Sequence, residues 1–314
     1  MNKTSIEWTS LSANPIKYRR KSDNKVVWGC VKTSAGCAHC YSEALALRFN
    51  RGKLFNSSNM EELTTFLDED ECRSMRTKKM CDGVLVSGSR CFVSDMTDLF
   101  GEWVSDDILN RLFSGTLEIR TDVTWQILTK RSERMHKYLS WRWGEGRIVP
   151  KNIHVGVSVE NQKAADERIP LLLQTPAAVR FLSCEPLLGP VYLTRLFLPD
   201  QSGFWNALDG RLTCKAKTNK GQEFWAETDK PISPHVDLVI IGGESGHGAR
   251  PCDLSWIRSL IAQCKAASVS VFVKQLGKSY FSGDSNHTHY FSNDKKGGNM
   301  EEWPIDLRIR DLPC

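Results

Sequence analysis

Short apolar runs alternate with amphipathic stretches along most of this chain. "VVWGC" (26–30), "RCFVSDMTDLF" (90–100), "VTWQILTKR" (123–131), "NIHVGVSVEN" (152–161), "AVRFLSCEP" (178–186), "VDLVIIGGESG" (236–246) and "VSVFVKQLG" (269–277) each read as a strand that runs into a polar or glycine-rich turn. Between them, "SDDILNRLFSGTL" (105–117), "SERMHKYLSW" (132–141), "QKAADERIPLLLQ" (162–174) and "DLSWIRSLIAQCKAAS" (253–268) carry a helical period, the first with a Ser or Asp cap. Strands spaced by helices predict a parallel sheet with crossover connections. Continuous apolar strands fit a sheet buried on both faces. Six or seven such units predict an α/β fold, a partial or complete parallel (β/α) barrel; a doubly wound open sheet is the other arrangement the pattern allows.

Two stretches interrupt the alternation, and both read as insertions into a single domain spanning 1–314. Residues 51–89 are polar, with one short helix expected over "MEELTTFLDEDECRSM"; residues 194–235 suggest a hairpin. Loops of such length in a compact domain are usually functional or mobile. From about 279 the tail reads as irregular. No internal repeat is present.

Polar or small residues follow almost every strand: Asp95, Thr97 and Asp98; Lys130 and Arg131; Ser158 and Glu160; Cys184 and Glu185; Gly242, Gly243 and Glu244; Lys274. In a parallel barrel such ends gather on one face, where active sites sit.

Composition adds limits. The chain has 314 residues, 40% hydrophobic and 25% charged, with net charge +5. That is ordinary for a globular protein and permits a nucleic-acid partner without demanding one. "MNKTSIEWTS" holds no apolar run of signal-peptide length, and no window suits a membrane span. The expected location is therefore the cytoplasm, with no membrane partner; oligomeric state is left open. Eleven cysteines, an odd number without a secretion signal, fit reduced thiols better than a disulfide framework.

Three of those thiols stand apart. In "GCVKTSAGCAHCYSEALALRF" (29–49), Cys30, Cys37 and Cys40 are spaced C-x6-C-x2-C ahead of a helical run. A structural zinc site wants four ligands. His39, Cys72 or Cys81 would have to complete it. Unrelated buried thiols are the plain alternative. A four-iron cluster takes thiolate ligands, and three of them leave one iron open to a small molecule. In radical chemistry that molecule is S-adenosylmethionine.

The loop resembles that of the radical S-adenosylmethionine enzymes, which are partial or full α/β barrels. Their usual spacing is C-x3-C-x2-C; here the first gap is six. The resemblance implies a [4Fe-4S] cluster on Cys30, Cys37 and Cys40. It puts His39, with Tyr41 beside it, near the adenine, where these enzymes usually carry an aromatic residue. It makes Asp95, Thr97 and Asp98 candidates for the methionine amino group. Ser158 and Glu160 become candidates for the ribose and methionine part. These enzymes also carry Gly-Gly-Glu after the second strand. Here Gly242, Gly243 and Glu244 end the sixth, so that role is not carried over to them; a glycine-rich strand end followed by a helix can equally receive a phosphate or carboxylate.

As a set, "SIEWTSLSANPI", "GCVKTSAGCAHCY", "SDMTDLF", "ILTKRSERM", "VGVSVEN", "LSCEPLLGP", "IIGGESGHGARP", "VFVKQLG" and "WPIDLRIRDLP" resemble a narrower family. These are the phage-associated three-Cys-motif proteins, radical S-adenosylmethionine-like proteins of phages, prophages and bacteria. The resemblance implies reductive cleavage of S-adenosylmethionine and a flavodoxin- or ferredoxin-type electron donor. Lys130, Arg131, Arg134, Arg250 and Lys274 offer a basic rim for an anion. Trp141, Trp143, Trp205 and Trp225 offer stacking surfaces. Together these favour a nucleotide or nucleic-acid base as the substrate to be modified or repaired. Cys184 is a candidate hydrogen donor to a substrate radical. Two alternatives stay open: a non-enzymatic zinc- or iron-sulfur-stapled nucleic-acid-binding protein, and a radical modifier of peptides or proteins.

Overall fold

The computed structural model describes residues 2–49, 51–77, 88–198, 202–218, 221–231 and 233–313. The fold is mixed α/β. Its main sheet has eight strands that follow one another in chain order: Asn2–Lys3, Leu11–Ala13, Arg90–Val93, Thr124–Thr129, Ile153–Ser158, Val179–Cys184, Leu238–Gly242 and Ser270–Gln275. Pairing is parallel apart from the antiparallel first pair, wherever its register is defined. Smaller antiparallel and mixed sheets surround it in sequence. The residues divide into two units, Met1–Gly156 with Pro176–Val179, and Val157–Thr175 with Arg180–Cys314.

In unit 1 the predicted strands at 90–100 and 123–131 and their helices form as expected. Ser105 caps the helix Asp106–Leu112, its Oγ accepting from the Ile108 amide at 3.3 Å, and that helix continues as a π-turn, Phe113–Leu117. The helix Ser132–Trp143 follows the strand Thr124–Thr129 directly. Trp125, Phe100, Phe113, Leu109 and Leu117 are fully buried and fill the core between these elements.

Two expectations near the amino end change. Only Val26–Val27 of "VVWGC" is a strand, and it belongs to a separate three-stranded sheet with Ile16–Arg20 and Leu63–Leu67. The main-sheet strand is Leu11–Ala13, three residues of "LSANP" too short for a periodicity signal. The stretch 60–75 is not one helix either. Leu63–Leu67 is a strand, with helices Ser57–Glu61 and Glu69–Thr77 on each side. The β-branched and aromatic "TTF" favours the strand. Asp68 then starts the second helix, its carboxylate accepting from the amides of Asp70 and Glu71.

In unit 2 the strand Leu238–Gly242 is buried at every position and pairs in parallel with Val179–Cys184 and Ser270–Gln275. The helix Leu254–Ala266 packs beside this group. The 194–235 insertion is more than a hairpin. It is a four-stranded antiparallel sheet, Leu196–Phe197, Gly203–Trp205, Leu212–Lys217 and Glu223–Glu227. The tail also carries regular structure. Ser279–Phe281 pairs with Cys252–Asp253 and His289–Phe291, and two short 3-10 turns follow.

No helix among the described residues is long and apolar enough to cross a membrane.

Candidate functional site

The cysteine loop runs from the edge strand Val26–Val27 through a 3-10 turn, Ala35–Cys37, to the helix Tyr41–Arg48. It is tied to the carboxyl ends of the main-sheet strands of unit 1 by several hydrogen bonds. Thr97 Oγ1 donates to the Gly29 carbonyl at 2.9 Å. The Tyr41 hydroxyl and Ser42 Oγ both donate to the Asp95 carbonyl, at 2.6 and 3.0 Å. Arg131 donates to the Val31 carbonyl at 2.9 Å. "GCVKTSAGCAHCY", "SDMTDLF" and "ILTKRSERM", far apart in sequence, therefore meet at one place.

Asp98 is the hub of that meeting. Its buried carboxylate accepts from Thr129 Oγ1 at 2.6 Å, from the Lys130 amide at 3.0 Å and from Arg131 at 3.1 Å. Arg131 reaches Glu102 as well, and its guanidinium lies 4.5 Å from the Trp103 ring centroid. Trp103 donates to the Tyr18 hydroxyl, which bonds Thr97. Asn14 pins the turn from the neighbouring strand end. Its amide nitrogen donates to the Asp95 carboxylate at 2.5 Å, and its carbonyl accepts from the Met96 amide.

Electrostatics separate the thiols. Burial, then the Asp98 charge, push the Cys30 thiol up to about 12, with Arg131 and a backbone hydrogen bond from Asp98 offsetting part. Burial opposes the Cys37 thiolate too. There the Thr33 backbone hydrogen bond, the Lys130 charge and the Ser34 hydrogen bonds outweigh it, and the pKa falls below the ordinary thiol value. Burial raises the Asp95 carboxyl, and the Asn14 hydrogen bond offsets part of that rise.

Sequence reasoning passed over Ser94. It ends the strand Arg90–Val93 with φ of 66°, a left-handed conformation that side chains other than Gly adopt rarely. Its Oγ is buried with no hydrogen-bond partner among the described residues. The sign was its place in "VSDMTD", the first polar residue after an apolar run. Tyr18, Trp103 and Asn14 were also missed; only Asn14 lay in a quoted motif.

No three His, Cys, Asp or Glu side chains among the described residues converge as ligands of one metal ion. Cys72 does not join the loop as a zinc ligand. It is buried on the helix Glu69–Thr77, hydrogen-bonded to Thr116, and burial pushes its thiol up to about 11. Cys81 lies outside the described residues. His39 is exposed on the loop.

The charged residues at the strand ends of unit 2 are spent internally, whereas Gln275 Oε1 is buried without a partner among the described residues. The Glu160 carboxylate is fully buried and paired with Arg168 at 3.0 Å; the same guanidinium donates to the Ser158 carbonyl. Lys274 pairs with Glu185 at 2.5 Å, and Arg250 forks onto Glu244 through Nε at 3.0 Å and a terminal nitrogen at 2.5 Å. Arg134 likewise donates to the carbonyls of Gly101 and Val104. The expected basic rim is thus taken up by internal partners at Arg131, Arg134, Arg250 and Lys274. The glycines have a packing reason. A Cβ on Gly243 would sit 2.1 Å from the Leu276 carbonyl oxygen, and one on Gly242 would press on Glu185 and Gln275. They do not open onto a free helix end either. The next helix, Leu254–Ala266, begins after Asp253, whose own carboxylate caps it. Cys184 is fully buried and held as a neutral thiol by that burial, a core residue by its surroundings.

A family model described as "Protein of unknown function (DUF5131)" matches residues 3–304. The chain belongs to that family. No curated protein and no solved structure matches it. None of the described cysteines is in a disulfide, so the three loop thiols are available as ligands.

Proposed function

We propose that this DUF5131 protein is a radical S-adenosylmethionine enzyme of barrel type, similar to the phage-associated three-Cys-motif proteins. In this reading Cys30, Cys37 and Cys40 hold a [4Fe-4S] cluster, and a nucleotide or nucleic-acid base is modified or repaired. The observation that carries it is the meeting of a three-thiol loop with the polar strand ends of unit 1. The donor set suits a cluster. Three thiols on one loop, all partly exposed, leave one iron without a protein ligand. Thiolates of a cluster each bind a different iron, so they need not converge on one point, whereas the ligands of a mononuclear zinc must.

A reduced cluster in that place supplies one-electron reduction of S-adenosylmethionine. The chain's own residues do the rest. Lys130 and the loop amides favour the thiolate at Cys37. Arg131 and Asp98 fix the loop against the strand ends, so the thiols are positioned before any ligand arrives. The orphaned Ser94 Oγ and the Asp95 carboxylate are suited to the cofactor's amino group. His39 and Tyr41 flank the last cysteine and suit the adenine. A flavodoxin- or ferredoxin-type protein supplies the electron.

The test is anaerobic purification, counting iron, sulfide and zinc in the wild type and in the Cys30/Cys37/Cys40→Ala variant. About four irons per chain, lost in the variant, with an EPR signal altered by S-adenosylmethionine, is the expected result. 5′-Deoxyadenosine should then form under dithionite. One zinc and no iron overturns the reading.

A further inference from the structure

The four-stranded sheet of residues 196–227 carries a face that nothing so far uses. Cross-strand pairing puts Phe197 opposite Phe204, and Lys215 opposite Trp225. Strand alternation brings Arg195 to the same side. The three rings touch in series: Phe197 and Phe204 have centroids 4.8 Å apart, and Phe204 and Trp225 lie 5.2 Å apart. The two outer rings are open, with Phe197 53% and Trp225 47% exposed. The middle ring is covered by a cation, the Arg195 guanidinium 4.5 Å from its centroid, and Lys215 lies 5.7 Å from that of Trp225.

Charge decides what such a stripe fits. At its margins Lys217 faces Glu223, and Arg211 faces Glu227, so those charges offset one another. Arg195 and Lys215, in the stripe itself, have no ion-pair partner among the described residues. A protein-docking face depletes lysine from its centre. Here a lysine and an arginine are interleaved with the rings, the arrangement that stacks bases and neutralises phosphates together. The bases of a duplex are stacked on each other and cannot reach such rings; unpaired bases can.

We infer that this face is a stacking platform for single-stranded nucleic acid, with Phe197 and Trp225 receiving bases and Arg195 and Lys215 receiving phosphates. The inference rests on the proposed function for its substrate class alone. Binding needs no iron, sulfide or S-adenosylmethionine, so the platform and the cluster fail or stand separately.

The test uses the full chain without added iron and a fluorescent thymidine oligonucleotide of about twelve residues, a length within the site sizes of such surfaces. A uridine oligonucleotide and a duplex serve as comparisons. Single strands should bind at low salt, more tightly than the duplex, with quenching of tryptophan fluorescence. Phe197→Ala and Trp225→Ala should each weaken binding about tenfold. Lys215→Gln should reduce the slope of log affinity against log salt by about 0.7. These side chains are exposed, and an unchanged circular dichroism spectrum confirms that each variant is folded. Absence of oligonucleotide binding at low salt overturns the assignment. So does equal affinity in Trp225→Ala, the outcome expected if the face docks a protein.

Discussion

In unit 1 the Asp98 carboxylate gathers Thr129, Lys130 and Arg131, and through Arg131 it holds the backbone of the cysteine loop. In unit 2 Glu160 holds Arg168, Glu185 holds Lys274 and Glu244 holds Arg250. The residue types at the two sets of strand ends are alike. Each unit 2 pair closes upon itself or on its neighbouring backbone. The unit 1 network instead supports a loop of thiols; each unit leaves a buried strand-end oxygen without a partner among the described residues, Ser94 Oγ in unit 1 and Gln275 Oε1 in unit 2. A polar strand end is therefore not a site in itself. What matters is which part of the chain its hydrogen bonds hold in place: in unit 1 they hold the cysteine loop.

The largest effects should come from breaking one pair in each unit. Asp98→Ala leaves Arg131 with the exposed Glu102 as its remaining charge partner, and Glu160→Ala removes the buried partner of Arg168; each should lose about 3–5 kcal/mol of stability in denaturant unfolding. Only Asp98→Ala should also lower the iron bound per folded chain, because only Asp98 supports the cysteine loop. Equal iron loss in both variants would erase the difference between the units.

Ser94 offers a smaller and more selective test. Ser94→Gly removes a left-handed side chain and an unpaired hydroxyl. Stability should stay level or rise by up to about 1 kcal/mol. Binding of S-adenosylmethionine, followed by calorimetry on the iron-loaded protein, should weaken. A variant that is less stable, with unchanged cofactor binding, would make Ser94 a purely structural residue.

Asp95 gives the pH dependence. Its folded pKa lies above the unfolded value, so the native state holds the proton more tightly than the unfolded chain. Stability is then fully present below the unfolded pKa and falls as pH rises through the folded one. Asp95→Asn, which removes the charge, should gain on the wild type at pH near 7 and lose that advantage at about pH 3, below the ordinary carboxylate range. Chemical unfolding at both pH values measures it. An advantage that does not shrink in acid would remove burial of the charge as its cause.

The smallest effect concerns the thiols themselves. In iron-free protein Cys37 should react with iodoacetamide faster than Cys30, as mass spectrometry of the labelled peptides would record. Lys130→Met should slow Cys37 several-fold and leave Cys30 the slower of the two. Faster labelling at Cys30 would contradict the assigned electrostatics.

Much of the fold was legible because local pattern and burial agree. Every strand from Arg90–Val93 to Ser270–Gln275 in the main sheet, and the helices that follow, lie within stretches whose apolar period declares them. Leu11–Ala13 and Leu63–Leu67 were not legible. The first is too short to show a period, and in the second the β-branched and aromatic residues sit inside a helix-like acidic stretch, so that the pairing with Ile16–Arg20 was needed to reveal the strand. The candidate site was legible in part. Three thiols at close spacing announced themselves, and "SDMTDLF" was marked as a strand end. Whether a polar residue there is open or consumed depends on its partner, which is far along the chain for Asp98 (Thr129 and Arg131) but only a short loop away for Glu244 (Arg250).

By itself, the sequence determined the alternation of strands and helices, the thiol cluster and the polar turns, because periodicity, spacing and turn chemistry are local properties. The tertiary structure decided the use of those turns. It joined the cysteine loop to Asp95, Asp98 and Arg131, spent the charges of Arg250 and Lys274 on nearby carboxylates, and aligned Phe197, Phe204 and Trp225 on one face. Burying a charge or polar group without a partner is costly, and strand register and chain packing decide which partner comes within reach.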